Sequence, residues 1–159
     1  MDVPGFPRNS IEQEGETSMP RTIHMAADLP APPDELFDMY LDPDAHAAIT
    51  GAPVSIGAKA GAKFLAFEGM IRGTILQVIP KRLIVQSWRA KHWKAGDLDS
   101  TLILTFWPEA QGGRIELIHV NVADHDFAGV SQGWEMYYWA PWRKYLQEAS
   151  GSEGSKVRD

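Results

Sequence analysis

Between residues 62 and 122 the chain falls into five short β-rich stretches separated by tight breakers, and this pattern most limits what it can become. The stretches are Ala62–Glu68, Met70–Ile79, Leu83–Arg89, Thr101–Trp107 and Arg114–Val122. The breakers are Gly69, Pro80-Lys81, Gly96-Asp97 and Gly112-Gly113. Alternation of apolar and polar residues marks strands with one buried face, and hairpin-length links make them an antiparallel meander. Such a sheet keeps one wet face and needs a cover on the other.

The flanking segments supply that cover. Arg21–Leu29 reads as a first strand, ended by Pro30, Pro32 and Pro33. Asp34 offers a helix start ahead of Leu36, Phe37, Tyr40 and Leu41, which repeat at helical spacing. Asp42-Pro43-Asp44 restarts a short second helix through Ile49, and Gly51 stops it. Phe127–Gln147 predicts a long last helix with a kink at Pro141. The expected fold is α+β: a curved antiparallel sheet of about six or seven strands wrapped around the C-terminal helix, with two short helices after the first strand. Residues 20–149 form the expected domain. Residues 1–19 mix Pro, Gly, Ser and Glu without periodicity and read as a disordered tail, in which Met19 is an alternative start. Residues 150–159 read as a second polar, disordered tail.

Composition excludes several function classes. With no cysteine among 159 residues, disulfides, thiolate nucleophiles and cysteine-ligated metals are ruled out. No apolar run approaches the ~20 residues of a membrane span, and the N-terminus lacks a signal-peptide core, so a cytoplasmic location is expected. The net charge is −6, and residues 1–19 contribute to it with Asp2, Glu12, Glu14 and Glu16 against one Arg. A mildly acidic body without a basic stripe argues against nucleic acid and against an anionic membrane surface.

Several motifs invite chemistry and fail on spacing. Gly129-Val130-Ser131-Gln132-Gly133 fits G-x-S-x-G. A nucleophile elbow, however, needs a strand before the serine and a histidine after it, and no histidine follows Ser131. Asp124-His125-Asp126 cannot all face one ion from adjacent positions, and Asp126 is better placed as the N-cap of the last helix. His24, His46 and His92 lie on separate elements without ligand spacing. Gly57 to Lys63 lacks the phosphate-cradling pattern and reads as a flexible hairpin turn. No cofactor is expected.

Other residues point inward. In the strand before the last helix, Ile115, Leu117, His119 and Asn121 share a parity, which becomes ambiguous toward Val122. Leu102, Leu104 and Phe106 share one face of its neighbour, and Ile84, Gln86 and Trp88 alternate with Leu83, Val85, Ser87 and Arg89. On the last helix Phe127, Val130, Trp134, Tyr138, Pro141, Trp142 and Tyr145 fall on one side by three- and four-residue steps.

The run from Phe67 to Pro80 (FEGMIRGTILQVIP), Ile84 to Arg89 (IVQSWR), Trp93 with Gly96, and Gly133-Trp134 with Tyr137-Tyr138-Trp139-Ala140-Pro141 resemble a known family. They are similar to the C-terminal domain of the heat shock protein 90 ATPase activator and its bacterial relatives, within the START-like, birch-allergen-like helix-grip (SRPBCC) superfamily. The resemblance covers about residues 22–147 and implies a helix-grip fold that usually keeps an internal void. It implies one of three roles. The first is a non-enzymatic module binding a small hydrophobic ligand, with pocket candidates Phe67, Trp88, Leu104, Phe106, Leu117, His119, Asn121, Trp134, Tyr138 and Trp142. In that role the aromatic side chains would press on the ligand while His119 or Asn121 fixes a polar end; a filled core is the competing reading of the same residues. The second is a protein-interaction module regulating a chaperone ATPase in a stress response, with Lys91, Trp93 and Lys94 as an exposed contact patch or a lid over the pocket. The third is a cavity enzyme of cyclase or hydratase type using His119 and Glu68. A monomer or weak dimer is expected.

Overall fold

The computed structural model describes residues 19–158, with side chains for 19–151. The expectation for residues 1–18 lies outside the described residues. The elements are β1 (Arg21–Leu29), α1 (Pro33–Leu41), α2 (Pro43–Thr50), β2 (Val54–Ser55), β3 (Lys63–Ala66), β4 (Ile71–Ile79), β5 (Leu83–Ala90), β6 (Ser100–Glu109) and β7 (Gly112–Val122). A 3-10 turn at Asp124–Asp126 leads into α3 (Phe127–Trp134), a π-turn (Glu135–Trp139) and α4 (Ala140–Arg158).

The seven strands form one antiparallel sheet in the order β1-β7-β6-β5-β4-β3-β2. The meander runs in sequence order from β2 to β7, and β1 completes the far edge against β7. The two short helices carry the chain from that edge to the other. Strand alternation behaves as the sequence implies: Ile84, Gln86 and Trp88, then Leu102, Leu104 and Phe106, then Ile115, Leu117 and His119 are all buried on one face. The terminal helical segments and α1 cover this face, with Phe37 of α1 packing edge-on against Phe106 at 5.5 Å between ring centres. This is the expected helix-grip architecture.

Local chemistry explains the boundaries, and it corrects three expectations. α1 begins with Pro33 after Pro32 as N-cap, without a side-chain cap from Asp34; proline at the first turn has no N–H to leave unsatisfied. α2 starts and stops where expected: the Asp42 carboxylate caps it by accepting from the Ala45 N–H at 3.0 Å, and Gly51 ends it at φ 77°. Asn121 does not continue the inward parity. Its φ is 63°, and β1–β7 pairing shifts there from Ile23↔His119 to Arg21↔Val122, so a bulge turns Val122 inward. The last helix is interrupted by the π-turn ahead of Pro141, and α4 spans Ala140–Arg158.

Candidate functional site

A cavity of about 430 Å³ lies between the bent sheet and the start of the last helix. Trp88 and Ala90 of β5 and Ile71 of β4 form its sheet wall; Val130, Gly133, Trp134, Tyr137 and Tyr138 form its helix wall. Phe67 and Met70, in the turn between β3 and β4, form one lip, and His92 and Asp126 bring the polar groups to the other. Phe67 and Glu68 hold left-handed backbone at φ 52° and 57°, an uncommon conformation for a bulky residue. The sequence predicts Phe67 inside a strand. The strand instead ends at Ala66, and the turn sets the Phe67 ring 5.7 Å from Tyr137 and 6.0 Å from Tyr138.

Of the pocket candidates, Phe67, Trp88, Trp134 and Tyr138 line this cavity. Leu104, Phe106, Leu117 and Trp142 are packed in the core with at most 1% exposure. Asn121 is half-buried on its bulge, where its side chain donates to the Asp99 carbonyl at 3.1 Å.

His119 is fully buried one layer behind the cavity, 4.8 Å from the Trp88 ring and 5.9 Å from that of Trp134. Its bonding fixes its proton. The Ser100 hydroxyl donates to the Trp88 carbonyl at 2.6 Å, so its oxygen accepts from His119 Nε2–H at 2.8 Å. Nδ1 is then left unprotonated to accept from Trp134 Nε1–H at 3.2 Å. Burial holds the imidazole pKa down to about 3. Both ring nitrogens are thereby committed inside the protein. The ring ties the sheet-side indole Trp88 to the helix-side indole Trp134. Glu68 is exposed in the strained turn and makes no acid/base pair with it.

A second buried histidine, His46, was not singled out by its sequence context. Its Nδ1–H donates to the Tyr40 carbonyl at 2.7 Å and its Nε2 accepts from the Tyr138 hydroxyl at 2.9 Å. Burial lowers its pKa to about 4, against the opposing effect of the bond to Tyr40. Tyr138, a cavity wall, is therefore anchored from behind, and burial pushes its phenol up. Tyr40 continues the chain to Gln86 Oε1 at 2.5 Å.

The Lys91–Lys94 loop differs from an exposed contact patch at its centre. Trp93 is only 5% exposed; it packs 5.5 Å from Trp88 and donates to Asp126 Oδ2 at 2.8 Å. Lys91 and Lys94 remain exposed. Arg89 stiffens the loop by donating to the carbonyls of Asp97 and Lys94, each at 2.6 Å. His92, read from sequence as a default histidine, is the loop residue that reaches the cavity. Asp126 occupies the N-cap position of α3 without capping it, because its carboxylate is turned to Trp93. The neighbouring side chains diverge, Asp124 toward Arg21 at 3.8 Å and His125 toward Asp97 at 2.7 Å. Ser131 lies within α3, not on a strand-to-helix elbow. Among the described residues no group of three or more His, Asp or Glu converges as for a metal ion. None of the described helices is long and apolar enough to cross a membrane.

Residues 21–147 thus combine a bent sheet, a gripped helix and an aromatic cavity, and solved structures share the fold. An HSP90 activator from Plasmodium falciparum superposes with a TM-score of 0.70 at 20% identity, covering 79% of this chain and 96% of that one. CalU16 from Micromonospora echinospora superposes at 0.62 with 27% identity, covering 74% and 71%. The human activator of 90 kDa heat shock protein ATPase homolog 1 is 28% identical over 106 residues, which are 67% of this chain and 31% of the human protein. The chain thus spans about a third of the length of that relative. The family model described as activator of Hsp90 ATPase homolog 1-like protein matches residues 30–147, and the chain belongs to that family.

Proposed function

We propose that this domain is a non-enzymatic START-like binding module that holds a small hydrophobic ligand between Trp88 and Trp134. The observation that carries the reading is the aromatic cavity of about 430 Å³, which lies within the roughly 300–1,000 Å³ typical of small-molecule pockets. Its walls are held from behind by the hydrogen bonds of His119 to Trp134 and of His46 to Tyr138. Gly133 provides the test. A Cβ at this position would meet only the Tyr137 ring, at 3.5 Å, while the residue lines the cavity. Gly133→Leu is expected to fill the space and abolish binding of 1-methylnaphthalene in isothermal titration. Replacing a helical glycine should leave stability unchanged or raise it by up to ~1 kcal/mol. Equal binding by the wild type and Gly133→Leu, or no binding by either, would defeat the reading.

Family membership favours a second reading, contact with a chaperone ATPase. Lys91 and Lys94 are the exposed lysines of the proposed contact loop. Stimulation of the host chaperone's ATPase by the full chain, lost in the double charge reversal Lys91→Glu and Lys94→Glu, would support it. An unaffected ATPase rate would remove it.

A further inference from the structure

The cavity is apolar on nearly every wall, and its polar exception faces one way. Asp126 and His92 reach the same edge, and the Asp126 side chain is 19% exposed. The two oxygens of this carboxylate differ. Oδ2 accepts from Trp93 Nε1–H at 2.8 Å and stands 3.0 Å from His92 Nε2. Oδ1 receives no hydrogen bond among the described residues, because the side chain does not cap α3. Gly129 leaves room for this oxygen: a Cβ there would stand 2.8 Å from it. Among the described residues no lysine or arginine lines the cavity, and the imidazole at its edge already turns Nε2 toward Asp126. A carboxylate oxygen can only accept. In a partly desolvated site it gains from a donor and is opposed by a second anion.

We propose that Asp126 sets the polarity of the ligand, so that the cavity takes a small molecule with an apolar, ring-bearing body and a hydrogen-bond-donating head, an amine or a hydroxyl, and disfavours a carboxylate head. This rests on the cavity being a ligand pocket. The head group lies at the Asp126 edge, and the ring system lies between Trp88 and Trp134. Asp126 acts as a specificity residue, while His92 and Trp93 position it by occupying Oδ2.

Four probes of nearly equal size test the proposal by isothermal titration with the full chain: 1-naphthalenemethanol, 1-(aminomethyl)naphthalene, 1-methylnaphthalene and 1-naphthoate. The alcohol and the amine should bind at least about fivefold more tightly than the methyl compound, the scale of one charge-assisted hydrogen bond at a partly wet site. Naphthoate should bind most weakly. The neutral alcohol separates hydrogen bonding from attraction to the protein's net negative charge. The Trp93 indole N–H resonance should move with the alcohol and amine and stay put with the methyl compound, since it shares the Asp126 carboxylate. In Asp126→Asn the amide oxygen remains toward Trp93 and the NH₂ turns to the cavity, so the donor preference should disappear and naphthoate should gain. The wild-type ranking alone decides the matter if that variant fails to fold. Equal affinities for the four probes, or naphthoate binding best, would overturn the proposal and leave the pocket standing. Failure of all four to bind would overturn both.

Discussion

His119 and His46 carry a pH dependence that can be signed from their surroundings. Both are neutral in the folded chain, with pKa values held by burial down to about 3 and about 4. An unfolded histidine titrates near ~6.5. Between these values the unfolded chain binds protons that the folded chain refuses. Stability is therefore full above the unfolded value and falls as the pH drops toward the folded ones, by about 1.4 kcal/mol per pH unit for each histidine. Urea unfolding at pH 7 and pH 5.5 should show the lower midpoint at pH 5.5. His119→Gln, whose amide keeps one donor and one acceptor, should lose about half of that difference. A midpoint independent of pH over this interval would mean that the two imidazoles are not buried and neutral. The inward direction of His119 was legible from strand parity. Its neutrality was not, because Ser100 and Trp134 stand 19 and 15 residues away in sequence. His46 was less legible still, since its anchor Tyr138 is 92 residues away.

Among the elements, the last helix shows how a constant period misleads. The Ala140 N–H bonds to the Glu135 carbonyl, a five-residue step, directly before Pro141, which has no N–H to donate. The extra residue rotates the buried stripe. Trp139, absent from a stripe counted by threes and fours, stacks at 22° on Trp134 and on Trp142, with ring centres 5.7 Å and 6.3 Å apart. Beyond it Tyr145 turns outward and Leu146 inward. Pro141 was readable as a disturbance, but the direction of the rotation was not. The same limit applies at Asn121, where the bulge reverses strand parity within two residues. By contrast, the helix start at Asp42-Pro43-Asp44 depends only on neighbours in sequence and is legible there, and the structure adds the Asp42 cap. Asp42→Ala should cost about 1 kcal/mol in urea unfolding, with α2 fraying first by amide exchange. An unchanged midpoint would show that Pro43 and the packing of Ile49 suffice to hold that helix. Asp126 sits at an equivalent N-cap position but serves Trp93 instead, a distinction that only long-range contacts reveal.

At the scale of the whole molecule, the gripped helix divides the interior into two parts. Trp142 and Leu146 of α4 pack into the filled core, whereas Trp134 and Tyr138 face an unfilled space. The division follows from the sheet. Phe106, Leu104 and Leu117 supply bulk in its middle, where Phe37 and the rest of α1 add to it, and toward Ala90 the wall thins to a methyl group. Alternation and helical spacing made the bent sheet and its cover legible, and the cluster of rings was visible as well. Whether those rings would meet or leave space depended on small residues, Ala90, Gly129 and Gly133, whose effect appears only when the two walls are set at their actual separation. Trp134→Ala should accordingly cost ~3–5 kcal/mol, because it removes packing against His119 and Trp139 as well as a cavity wall. The most direct measurement is the set of intermolecular nuclear Overhauser effects between bound 1-naphthalenemethanol and the assigned protein. Saturable contacts from the naphthalene protons to the rings of Trp88, Trp134 and Tyr138 together are expected. Contacts confined to the exposed edges of Met70 and Tyr137, or none at all, would contradict an internal binding site.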